Sequence, residues 1–281
     1  MKPIPVLGIP HYNRPDLLER CLHSIDYPVD TLALVRNGPL EMFPVEFVRQ
    51  LKAATASNPD LEVKKFRRIE VLQHPNAGCA GSWNEIIKLF PGGAQGTARP
   101  TGHYWMLANN DIQFAPGDLA KMAVFVESHL TPALSPKGGE GEKPGMIYGN
   151  HGASWFAITE AGVECAGLFD ENIYPAYLED CDMSRRFDLL ALRRCNVPDV
   201  HALHGTATNA RDQGKGSCTV NADPKLAELN SRTHGNNFEY YRAKWGGING
   251  QEKFTTPFND PHWPLWAWKF DPARRAKQNL F

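Results

Sequence analysis

Apolar positions in this chain follow two alternating rhythms. Short continuous runs at residues 6–9, 32–35 and 69–72 have the length of buried strands. Each is followed by apolar residues at helical spacing: Leu18, Cys21, Leu22 and Ile25; then Val45, Val48 and Leu51; then Trp83, Ile86, Ile87 and Phe90. The first helix opens at Pro15, a residue suited to a first helical turn. Strand alternating with helix predicts an α/β chain with a mostly parallel sheet. The fourth run, from Tyr104, is the most informative. It stops abruptly at Asn109-Asn110-Asp111, and Pro116 and Asp118 then open a helix carrying Leu119, Met122, Ala123 and Val126. Ligands of open α/β sheets bind beyond the carboxyl ends of strands, so two amides and a carboxylate at such an end predict a binding crevice.

Residues 91–102 read as a connector, and 131–144, rich in proline and glycine, as a surface insertion. Strand character resumes over 146–158, with Trp155 and Phe156 near its end, and Thr159-Glu160 opens a short helix. A further helix begins near Asp180, with Met183, Phe187 and Leu190 on its apolar face and Glu179, Asp180 and Asp182 in its first turn. Acidic groups suit a helix N-terminus. Three so close together also raise one another's pKa, as a general base would require. Residues 197–203 are expected to form a strand ending at His204, and 236–245 a helix closed by Gly246. The tail carries Trp263, Trp266 and Trp268, expected to pack over the main body or a partner.

The formal net charge of −1 over 281 residues gives no general pull toward nucleic acid or anionic membrane. The six cysteines lack a Cys-x-x-Cys pair and read as reduced thiols of a cytoplasmic protein. No apolar run reaches the length of a transmembrane segment.

Four blocks in order, Pro10-His11-Tyr12-Asn13-Arg14, Asn76-Ala77-Gly78, Leu107 to Asp111, and Gly167-Leu168-Phe169-Asp170-Glu171 leading to Glu179-Asp180, make the chain resemble the family 2 glycosyltransferases of the GT-A fold. The resemblance covers about residues 4–205 and implies a Rossmann-like nucleotide-diphospho-sugar transferase domain at 1–205, with 206–281 an aromatic-rich, acceptor-side extension of the same domain. It implies donor binding by Pro10, Tyr12, Asn13, Arg14, Arg36, Asn37, Asn76, Gly78, Asn84, Asn109, Asn110 and Trp155. It also implies a divalent cation, Mn²⁺ or Mg²⁺, at Asp111, Asn109 and His204. Asp180 would be the general base of an inverting transfer, with Glu179 the alternative and Asp182 in support. The glycines of 76–81 could bring backbone N–H donors to the phosphates.

Two departures stand out. Asn109 replaces the first aspartate of the family's Asp-x-Asp motif, leaving most of the charge to Asp111, and Arg36 replaces an aspartate that in many relatives meets a uracil ring. The donor is thus a UDP-sugar or another nucleoside-diphosphate sugar, and the acceptor a glycan, a lipid-linked sugar or another hydroxyl. A hydroxylated base in nucleic acid is a minority alternative, with Arg211, Lys215, Arg232 and Arg242 meeting phosphates. A sugar-nucleotide nucleotidyltransferase is opposed by the absence of glycine from the loop after the first strand. A non-catalytic binding module is opposed by Glu179-Asp180.

Overall fold

The computed structural model describes residues 2–57, 65–90, 103–130, 144–205, 218–266, 269–271 and 273. The connector at 91–102, the stretch 131–143, Arg211, Lys215 and Trp268 lie outside the described residues.

Seven strands form the main sheet in the order β3-β2-β1-β4-β7-β6-β8. β1 (Ile4–His11), β2 (Val29–Arg36), β3 (Phe66–Gln73) and β4 (Tyr104–Ala108) run parallel, with β1 pairing to both β2 and β4. From β1 the chain steps outward to β2 and β3, then returns to β4 on the other side of β1. The direction of travel reverses there, so the loops leaving β1 and β4 diverge and open a crevice.

Both faces of the sheet are covered at its centre, which is why β1, β2 and β4 read as continuous apolar runs. Along β4, Tyr104, Met106 and Ala108 pack with Leu18 and Leu22 of α1 (Pro15–His23) and with Met122 and Val126 of α4 (Asp118–Leu130). Trp105 and Leu107 point the other way, toward Trp83 and Ile86 of α3 (Gly78–Leu89) and Met183 and Phe187 of α6 (Glu179–Leu189). α2 (Val45–Ser57) adds Val48 to the first core.

Three expectations are corrected. The strand at 146–158 is a hairpin: β6 (Pro144–Gly149) and β7 (Gly152–Thr159) pair antiparallel about a turn at Asn150 and His151, and Gly152 supplies the positive φ of 54°. The helix predicted after it is α5 (Glu160–Ala166), capped by the Thr159 hydroxyl, which accepts from the Gly162 N–H. The strand at 197–203 is mostly irregular backbone whose Val197, Val200 and Ala202 are buried. Its end, β9 (Leu203–His204), pairs with β5 (Ile112–Gln113), and the edge of the main sheet is instead β8 (Arg193–Asn196), too polar to read as a strand. The helix expected at 236–245 is α8 (Pro224–Trp245), 22 residues long. It starts where Asp223 caps the N–H groups of Lys225 and Leu226, and it follows the short α7 (Cys218–Ala222).

α8 packs Tyr241 and Trp245 against Ile173 and Leu178, and Leu226 and Leu229 against Tyr174. Of the tail aromatics, Trp263 packs on Phe258 at 5.2 Å, whereas Trp266 is 61% exposed on this chain. Among the described residues no helix is long and apolar enough to cross a membrane.

Candidate active site

A cleft of about 630 Å³ opens where β1 to β4 end, lined by residues from the N-terminal strands, the β6–β7 turn, α6 and α7–α8. Of the residues expected at the site it gathers Pro10, Tyr12, Asn37, Asn76, Gly78, Asn109, Asn110, Asp111, Glu179, Asp180 and His204.

Asp111 and His204 meet because β5 and β9 pair Ile112 with His204, and the Gly205 N–H donates to the Asp111 carbonyl at 2.9 Å. His204 Nε2 stands 3.3 Å from Asp111 Oδ1, an oxygen that is buried and accepts no hydrogen bond. Two ligands of one cation, each about 2.1 Å from it at right angles, stand about 3 Å apart. A buried carboxylate oxygen without a donor and an imidazole at that spacing are a pair that fits a divalent cation, and Asn109 lines the same cleft. Among the described residues no three His, Cys, Asp or Glu side chains converge to hold a metal ion.

The opposite wall carries the carboxylates of α6. Glu179 is 5% exposed, its Oε2 has no hydrogen-bond partner, and burial together with the charge of Asp180 pushes its pKa up to about 8. Asp180 is half-buried, and its Oδ1 accepts from the Cys181 N–H. The crowding read from the sequence thus falls on Glu179. Asp182, expected to tune Asp180, does not line the cleft. It is wholly buried, receives Lys244 at 2.7 Å and Arg186 at 2.9 Å, and accepts from Trp245 Nε1 at 2.9 Å. Lys244 also reaches Asp170 at 2.7 Å; burial would raise that carboxyl, but the ammonium and Tyr240 hold it below its usual range. Two cations balance two carboxylates, tying the 167–172 turn, α6 and the end of α8 together.

Three of the N–H groups in the 76–81 turn, read as possible phosphate donors, are engaged within the protein. The N–H groups of Ala77, Gly78 and Cys79 donate to Asn37 Oδ1, Asn76 Oδ1 and the Pro175 carbonyl. Gly78 is required for another reason: its φ is 70°, and a Cβ would sit 2.6 Å from the Pro175 carbonyl oxygen. Asn84 and Trp155, expected to bind donor, are fully buried away from the cleft. Asn84 staples α3 to Phe169 and Glu171, and Trp155 packs on Phe114. Asn13 donates to the Thr219 carbonyl at 2.9 Å, Arg14 forks onto Asp16, and Arg36 stands outside the lining.

His11, His151, Tyr177 and Thr219 line the cleft without having been singled out from the sequence. His11 is kept neutral by burial; its Nε2–H donates to the Met42 carbonyl and its Nδ1 accepts from Asn110 Nδ2 at 3.2 Å. His151 hydrogen-bonds the Ala202 carbonyl and lies 5.4 Å, ring to ring, from His204. Only His11, inside a recognised block, had a sequence signal.

No family model matches the chain. A galactofuranosyl glycosyltransferase of Leishmania donovani is 29% identical over 146 residues, 47% of this chain and 33% of that protein, so the chain matches only about a third of that relative's length. The solved structure of the mannosyltransferase PcManGT from Pyrobaculum calidifontis, in complex with GDP-Man and Mn2+, superposes with a TM-score of 0.53 and 15% identity, over 99% of this chain and 70% of that one. A structure of GalNAc-T7 with UDP, GalNAc and Mn2+ matches at 0.47 and 12% identity, over 85% and 50%. The chain has the α/β architecture of the GT-A glycosyltransferases, as the sequence blocks implied.

Proposed function

We propose that the chain is a glycosyltransferase moving a sugar from a nucleoside-diphosphate sugar to an acceptor hydroxyl, with inversion at the anomeric carbon. The observation that supports this most is that Asp111 and Asp180 face one cleft at the switch point of the sheet, of a volume that suits a nucleotide sugar. A galactofuranosyl transferase among its relatives and a GDP-Man-bound mannosyltransferase of the same fold add support.

On this reading Pro10, Tyr12 and Asn37, at the ends of β1 and β2, take the nucleoside. Asp111, Asn109 and His204 would hold a divalent cation, which would supply positive charge against the departing diphosphate. Asp180 accepts the proton of the acceptor hydroxyl as its oxygen bonds to the anomeric carbon; the bond to the diphosphate breaks from the opposite side and its electron pair leaves with the diphosphate. Glu179, protonated at neutral pH, places no second negative charge beside the base. The buried Asp170–Lys244–Asp182–Arg186 group holds α6, and therefore Asp180, against the sheet.

A thermal-shift panel of UDP, GDP, CDP and dTDP and their sugars, with and without Mn²⁺, tests the reading. One nucleotide should stabilise the protein in a metal-dependent way, and its sugar conjugate should be consumed when acceptor is added. A panel in which none stabilises the protein removes the reading.

A further inference from the structure

Asp111 and His204 are brought together by β5 and β9, strands of two residues each. Their ladder consists of the pairs Ile112–His204 and Gln113–Leu203, extended by the Gly205 N–H that donates to the Asp111 carbonyl. A two-stranded pair on its own is marginal in water. A cation site needs its ligands held to within about 0.5 Å, so the spacing of these two side chains must be fixed from outside the ladder.

α1 and its exit supply the support. Leu18 and Leu22 share a core with Ile112 and Phe114. Beyond that core, Ser24 Oγ accepts from the Phe114 N–H at 3.0 Å and Asp26 accepts from the Gly117 N–H at 2.7 Å, which anchors the chain after Asp111. Of the three polar side chains, Arg20 is the one that reaches both partners of the ladder: its Nη2 donates to the Gly205 carbonyl and, more weakly at 3.5 Å, to the Asp111 carbonyl. Among the described residues this guanidinium pairs with no carboxylate, and its buried Nε has no hydrogen-bond partner. Gly205 itself has a φ of 64°, and a Cβ there would stand 2.9 Å from Cys218 Sγ, so the turn that Arg20 grips is closely packed on its other side.

We propose that Arg20 is a positioning residue for the cation: by tying the Asp111 and Gly205 carbonyls to α1, it holds the Asp111 carboxylate and the His204 imidazole at the spacing one divalent cation requires. This rests on the cation placed under the reading above. Arg20 does not line the cleft, so it meets neither cation nor phosphate directly. Its charge and its tie act in opposite directions. Like charges repel, so on charge alone removing the guanidinium would favour a nearby cation. Removing the tie frees the two ligands to drift apart and disfavours it. The sign of the change in cation affinity therefore separates the two effects.

The test titrates Mn²⁺ into the full chain, with and without the nucleoside diphosphate that stabilises it, and reads free Mn²⁺ by electron paramagnetic resonance. Arg20→Met should weaken Mn²⁺ binding about 10–100-fold, the range for groups that orient a metal ligand, and Arg20→Lys, which can still reach a carbonyl, should recover part of the loss. Electron spin-echo measurements should show the nitrogen coupling of a Mn²⁺-bound imidazole in the parent and a weaker coupling in Arg20→Met. Should Arg20→Met fail to fold, Arg20→Gln, neutral and too short to span both carbonyls, is read in the same way. Mn²⁺ binding as tight as the parent's or tighter in the variant that folds overturns the proposal. So does weakened binding that keeps the full imidazole coupling, because His204 would then still be in place. A parent that binds no Mn²⁺ under either condition strikes instead at the cation of the transferase reading, and the role of Arg20 goes with it.

Discussion

Glu179 and Asp180 are adjacent in sequence yet meet different surroundings, one buried with an unpartnered oxygen and the other half-buried on the cleft wall. That difference sets their expected behaviour. Asp180→Asn preserves shape but cannot accept a proton, so turnover at saturating donor should fall by about 10²–10⁴ while the donor dissociation constant stays within a few-fold; equal loss in Glu179→Gln and none in Asp180→Asn would move the base one residue back. Glu179 has its own signature in stability. Its folded pKa of about 8 exceeds the ordinary 4.5, so the folded protein keeps a proton that the unfolded chain releases. The stability it contributes is complete below about pH 4.5 and is lost as pH rises through about 8. Glu179→Gln, which cannot ionise, should match the parent in acid and exceed it by up to a few kcal/mol near pH 9, measured by urea unfolding across pH. A constant difference at every pH would mean that Glu179 ionises normally. Across the cleft, Asp111→Asn should abolish metal-dependent nucleotide binding in calorimetry, because the remaining donors are neutral; binding equal to the parent's would place the cation elsewhere.

At the scale of elements, the position of α6 depends on charges that never reach the cleft. Lys244 serves Asp170 and Asp182 together, each at 2.7 Å, and all three side chains are 2% exposed or less. Removing one partner of a buried pair leaves a desolvated charge and costs about 3–5 kcal/mol, whereas an exposed pair is worth about 1 kcal/mol or less. Lys244→Met should therefore lower the urea midpoint sharply, and Arg194→Ala, which breaks a surface pair with Asp188, should barely move it. Similar losses in the two would show that the buried group is not what fixes α6. The same contrast explains what was legible in the sequence. β1, β2 and β4 stood out because burial on both faces forces long apolar runs. α8 was read only over its last half, because its buried stripe of Leu226, Leu229, Thr233, Asn237, Tyr241 and Lys244 is half polar: Thr233 donates to the Leu229 carbonyl of its own helix, and Asn237 and Lys244 find partners elsewhere in the chain. β8 was hidden by Arg193, Arg194 and Asn196. Asn84, Trp155 and Asp182 had the residue types of a site, but type does not tell whether a side chain turns toward ligand or core.

For the molecule as a whole, the cleft joins distant stretches of the chain. Its walls run from Pro10 to Leu226 in sequence, and the two ends are in contact: Asn13 Nδ2 donates to the Thr219 carbonyl, and the Thr219 hydroxyl donates to Asn110 Oδ1 at 3.4 Å. A nucleotide seated against β1 and β4 would restrain Asn110 and Tyr12, and through them α7 and the start of α8. Local opening of these segments requires those contacts to part, so ligand should suppress it. Hydrogen exchange with saturating nucleoside diphosphate and Mn²⁺ should accordingly slow in separate patches: the ends of β1 and β4, the Asn150–His151 turn, the segment before α6, the Leu203–Gly205 stretch and residues 218–226. The outer turns of α4, far from the cleft, should exchange as before. Protection that leaves residues 10–12, 109–111, 176–180 and 218–226 all unchanged would mean that nucleotide binds outside this cleft, and the role assigned to Asp180 would fall with it.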